Sequence, residues 1–84
     1  MRYKVVAVRD RAVACFGQPQ VVPTVGSAIR SFTDLINGPK DGPVSSHPED
    51  FDLFELGEYD DEACTFVNLE VPRQVAIGKD LVRS

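Results

Sequence analysis

Apolar residues recur at helical spacing in one segment of the chain and alternate in several others. Val25, Ala28, Ile29, Phe32, Leu35 and Ile36 fall at i, i+3, i+4, i+7, i+10 and i+11, a single stripe along a helix. Arg30, Ser31, Thr33 and Asp34 fill the opposite side. Thr24 stands where an N-cap would accept hydrogen bonds from exposed backbone donors. Gly38 suits the left-handed position just past the helix end, and Pro39 cannot continue the helix.

The alternating segments read as strands. Arg2–Arg9 is rich in Val and Tyr, and Ala12–Phe16 is a second short run. Asp10-Arg11 leaves room for only a tight turn between them. Gly17, Pro19 and Pro23 then interrupt regular structure. Phe51–Tyr59 and Ala63–Val71 form a second hairpin around the polar turn Asp60-Asp61-Glu62. Between helix and hairpin, Pro39–Ser46 is a loop. Ser46–Asp50 suits one helical turn, with Pro48 at its first position and acidic residues at the positive end of the dipole. Pro72 opens a tail in which Val75, Leu81 and Val82 fit a short amphipathic helix that Gly78 weakens. The expected fold is α+β: a four-stranded antiparallel sheet from two hairpins with one packed helix (β-β-α-β-β) and a C-terminal tail of helical potential.

The strands are apolar on both faces. Tyr3, Val5 and Ala7 oppose Val6 and Val8. Phe51 and Leu53 oppose Phe54 and Leu56. Thr65, Val67 and Leu69 oppose Cys64 and Phe66. One helix covers one face, so the second is expected to be covered by the tail, a partner or, as the favoured reading, a second copy in a homodimer.

Eighty-four residues make one domain, residues 1–84, that folds with little stability to spare. No apolar run is long enough to span a membrane, and the opening MRYKVVAVRD does not read as a signal peptide. Cys15 and Cys64 are too few and too far apart for a secreted disulfide scaffold. They read as two buried thiols in a reducing compartment, a disulfide requiring adjacent strands. The net charge of −4 is unevenly spread. Residues 1–40 carry six cations and two carboxylates, residues 41–84 three cations and eleven carboxylates. Such asymmetry marks either a polyanion-binding face or two halves that attract each other.

No constellation for catalysis is visible. His47, the single histidine, is a capping or surface residue whose neighbours Ser45 and Ser46 do not make a triad. Two distant cysteines and one histidine do not make a zinc site. Asp60, Asp61 and Glu62 lack the spacing of a calcium loop, and Gly38–Gly42 lacks the ending of a phosphate loop. No enzyme activity, metal or cofactor is expected. The remaining chemistry is cationic and aromatic. The N-terminal hairpin offers Arg2, Lys4, Arg9 and Arg11 for phosphates, with Tyr3 and Phe16 for stacking on bases, and Arg30 lies on the polar side of the helix. Arg2 and Lys4 share one strand face. Lys79 and Arg83 would align if the tail is helical.

Three segments carry a resemblance. Pro23–Asp34 (PTVGSAIRSFTD), His47–Asp61 (HPEDFDLFELGEYDD) and Tyr3–Asp10 with Phe16 and Pro19 resemble the small nonstructural protein of gokushoviruses, single-stranded DNA bacteriophages of the microvirus group. The resemblance covers most of the chain in order. Gly17-Gln18 and the Gly38–Gly42 loop depart from it. It implies a nonstructural protein made in the cytoplasm of an infected bacterial host, of a family described as DNA-binding; together with the cations and rings above, the leading reading is a non-enzymatic accessory protein that binds single-stranded DNA. Its part would be in viral DNA replication or in the switch to single-stranded genome synthesis. The alternative is a protein-interaction module that regulates a viral replication protein, such as the initiator, or a packaging complex without touching DNA.

Overall fold

A computed structural model describes residues 1–83. Its elements run β1 (Arg2–Asp10), β2 (Cys15–Phe16), β3 (Gln20–Val22), α1 (Val25–Ile36), α2 (Pro43–Ser46), a 3-10 turn (Pro48–Asp50), β4 (Phe51–Asp60), β5 (Thr65–Ile77) and a second 3-10 turn (Gly78–Leu81). The fold is α+β, with one main helix packed on an antiparallel sheet of five strands. The order across the sheet is β2-β1-β4-β5. β3 joins the same edge of β1 as β2, with Lys4 opposite Val22 and Arg9 opposite Phe16.

The helix starts and runs as its stripe dictates. Thr24 Oγ1 accepts from the Ser27 amide at 3.0 Å, and the Thr24 amide donates back to Ser27 Oγ. Two orphan donors of the first turn are thereby satisfied reciprocally. Ala28, Phe32 and Ile36 are buried against Val6, Phe51 and Leu53. The helix end differs from expectation. Gly38 is not left-handed, and Asn37 closes the turn instead. Its Nδ2 donates to the carbonyls of Thr33 and Leu81, both at 2.9 Å. Its Oδ1 accepts from the Arg83 amide. One amide side chain thus ties the helix to the C-terminal segment.

The hairpins also differ in detail. β2 is only Cys15–Phe16, because the first turn takes four residues, Arg11–Ala14, rather than two. The second turn takes Asp61–Cys64. Ala14 and Cys64, last in each turn, adopt positive φ of 56° and 54°. Asp10 Oδ1 accepts from the Ala12 amide and Asp60 Oδ1 from the Glu62 amide, closing the same Asx turn twice. The two cysteines are exposed and free, not buried. They lie at opposite ends of β1, about 26 Å apart at ~3.3 Å per strand residue, which also excludes a bridge between them within the chain.

The tail is not a helix. β5 continues through Pro72 to Ile77, and the 3-10 turn follows, so Lys79 and Arg83 do not align. Pro72 is tolerated because β5 is an edge strand that bulges there, four residues (Leu69–Pro72) standing opposite Leu56 alone. Beyond the strand, Leu81 packs on the helix side of the sheet. The tail therefore does not cover the second face.

Candidate functional site

Cross-strand partners share a sheet face, so register assigns the faces. Val8 with Leu53 and Asp10 with Phe51 face α1. Arg9 with Phe16, Ala7 with Phe54, Tyr3 with Tyr59, and Tyr59 with Phe66 face the other way. Five aromatic rings thus stand on the face that the helix leaves uncovered. Phe16 and Phe54 meet edge to face, centroids 5.2 Å apart, across the small Ala7. Tyr59 lies 5.0 Å from Phe66 and 6.5 Å from Tyr3. Val5 and Ala7 are buried at the floor of this face. Phe16 and Phe66 are 43% and 61% exposed, enough ring surface to receive a ligand.

Arg9 is the cation of this face. Its guanidinium lies 5.7 Å from the Phe16 ring centroid, and its Nε is buried without a hydrogen-bond partner. The neighbour across the strand, Asp52, is already taken: its Oδ2 pairs with Arg11 Nε at 2.9 Å and its Oδ1 accepts from the Gly78 amide. Arg9 therefore carries its charge beside an aromatic ring with no ion pair among the described residues.

The other predicted cations do not join it. Lys4 Nζ pairs with Glu58 at 2.7 Å and Glu55 at 3.6 Å on the helix side of the sheet, where Arg2 also reaches Glu58. Arg73 closes the same network on the buried Glu55. Arg30 is exposed on the outer side of α1, across the molecule from the aromatic face. So the structure brings Tyr3, Arg9 and Phe16 to one open face. It turns Arg2, Lys4 and Arg11 onto carboxylates and leaves Arg30 apart. Phe54, Tyr59 and Phe66 complete the aromatic face and were not among the expected site residues. Their signal was the alternation that sets Phe54 against Leu53 and Phe66 against Val67.

The hydrogen bond that Lys4 donates to Glu58 holds the Glu58 carboxyl below its usual 4.5 and raises Lys4 above 10.5, with the charges of the pair acting in the same sense. Tyr59 is pushed above 10.0 by the hydrogen bond its hydroxyl donates to Cys64 Sγ at 3.6 Å. It is a neutral ring at physiological pH. His47, Glu49 and Asp50 bring ligand atoms within 4.8 Å of one another on an exposed turn, an arrangement acidic surface groups commonly adopt without an ion. Among the described residues no helix is long and apolar enough to cross a membrane.

Residues 3–81 match the family described as Phage ORF5 protein. No curated protein and no solved structure matches the chain.

Proposed function

The chain belongs to the phage ORF5 protein family, and from that premise we propose that it is a non-enzymatic accessory protein of a gokushovirus-like phage that binds single-stranded DNA. It would act in the cytoplasm of the infected bacterium, in viral DNA replication or the switch to single-stranded genome synthesis. The observation that carries this reading is the open sheet face: five aromatic rings, with Arg9 beside Phe16 at one end and free of any carboxylate partner among the described residues. Every base offers a π-face, so such a surface holds single strands with little regard to sequence, whereas paired bases in a duplex keep their faces stacked on one another. Arg9, and not the basic hairpin as a whole, supplies the phosphate contact. A labelled single-stranded oligonucleotide, with a duplex of equal length as control, tests it. Binding confined to the single strand and weakened by Arg9→Ala is the expected result.

A second reading is favoured by a different observation. Arg2, Lys4 and Arg11 are all paired with carboxylates, and the edge strand β5 exposes Phe66, Val67 and Val71. An unpaired apolar edge is a template for another chain. On this reading the module binds protein, a second copy of itself or a viral replication or packaging protein. The absence of DNA binding at low salt, together with a sedimentation weight that Val71→Lys halves, would favour it.

A further inference from the structure

We infer that the aromatic face holds two separate base-stacking stations, so that the shortest strand engaging the whole face is about five to seven nucleotides at ~3.4 Å per stacked step. The inference rests on the single-strand reading above and adds the number and spacing of contacts. The first station is Phe16 with Phe54, beside Arg9. The second is Tyr3, Tyr59 and Phe66. Tyr3 and Ala7, the latter opposite Phe54, are four residues apart on β1, and Tyr3 and Arg9 six. The stations are therefore separated by roughly 13 to 20 Å at ~3.3 Å per strand residue.

The ground between them carries no aromatic ring, the row across it being Val21, Val5, Gly57 and Asn68. Val5 is buried and its partner across the sheet is Gly57. A side chain at Gly57 is excluded, because its Cβ would run into the Val67 carbonyl oxygen and approach Asn68 Cα to 2.9 Å. The face is thus two aromatic groups with no ring between them. A strand crossing it stacks at either end and passes over the middle. Arg9, beside Phe16, is the cation of this face without an ion pair among the described residues and stands at one end only, so the first station takes base and phosphate together while the second takes bases alone.

The composition supplies a reporter. The chain has two tyrosines and no tryptophan, and both tyrosines stand in the second station. Intrinsic tyrosine emission therefore reads that station and not the first. Oligothymidylates of two, four, six and eight nucleotides should be titrated at fixed low salt, following tyrosine emission and, separately, the anisotropy of a labelled strand. Affinity is expected to rise about tenfold between the dimer and the hexamer and then level off, with tyrosine quenching complete only at the longer lengths. Phe16→Leu with Phe54→Leu should return the hexamer to dimer-like affinity while circular dichroism stays unchanged. Binding seen by anisotropy with tyrosine emission unaltered at every length would overturn the second station and leave the single-strand reading standing. An affinity with no plateau up to the octamer would overturn the two-station spacing. No binding at any length would remove both the inference and the reading beneath it.

Discussion

Gly78 is the position where the fold has least room. A Cβ there would meet the carbonyl oxygens of Phe51 and Pro48 and lie 3.1 Å from Ile36 Cδ1, itself fully buried. The first two are backbone atoms and cannot swing aside. Gly78→Ala is expected to cost about 2–3 kcal/mol by overpacking, read as a lowered urea midpoint at unchanged slope. Ala14 shows the opposite case. Its φ of 56° is one that a residue with a Cβ adopts at a cost, and the residue is exposed. Ala14→Gly is expected to stabilise by ~0.5–1 kcal/mol, the relief of that strain exceeding glycine's extra chain entropy. A thermal melt raised by a few degrees would show it, and an unchanged or lowered Tm would count against strain at that turn. In the sequence Gly78 reads as a weak helix residue and the cysteines as core. Both readings fail for the same reason: they rest on residue type, while the close approach of a distant backbone and the length of a turn belong to the tertiary structure.

At the scale of elements, the helix was legible almost to the residue, because a stripe of six apolar positions and a cap define it locally. Thr24→Ala is expected to cost about 1 kcal/mol, since it removes the acceptor of the Ser27 amide at 3.0 Å. A loss of helical signal at the first turn in amide exchange would locate the effect. The hairpins were legible in existence and not in turn length. The signal was present in Asp10 and Asp60, each of which accepts from the amide two residues on. β3 was not legible at all: three residues between Pro19 and Pro23 gain strand geometry only because β1 offers an unpaired edge. The continuation of β5 past Pro72 is likewise a property of its place at the sheet edge.

At the scale of the whole molecule, the uneven charge of the two halves resolves largely into contacts between them. Arg2, Lys4 and Arg11 come from the first half, and Glu55, Glu58 and Asp52 from the second. These pairs set a pH window. Glu58 has its pKa lowered from 4.5 in the fold, so its contribution is present above that value and is lost as pH falls through the lowered folded one. Lys4 has its pKa raised from 10.5, so its contribution is present below 10.5 and is lost as pH rises through the raised one. Glu58→Gln is expected to lower Tm at neutral pH, with the difference from the native chain shrinking as the pH is taken below about 4.5. A difference that stayed constant into acid would mean that the side chain's shape, and not its charge, is what matters there.

The same pairing limits what is left for a polyanion. If Arg2, Lys4, Arg9, Arg11 and Arg30 all met phosphates, the logarithm of single-strand affinity would fall with the logarithm of salt at a slope near −3.5, about −0.7 for each contact. Arg2, Lys4 and Arg11 are held by carboxylates, and Arg30 lies across the molecule from the aromatic face. Arg9 alone, or Arg9 with one borrowed contact, gives a slope of about −0.7 to −1.4 on the same scale. The expected binding is therefore weakly salt-dependent, most of its strength lying in stacking, which salt does not screen. A titration from 50 to 300 mM salt, on the order of the range over which phosphate contacts are normally resolved, decides between the two values. Should the slope come out near −3.5, the ion pairs must open on binding, and Glu58→Gln would then strengthen DNA binding by releasing Arg2 and leaving Lys4 with Glu55 alone. Should it come out shallow, Glu58→Gln would change stability and leave the affinity alone.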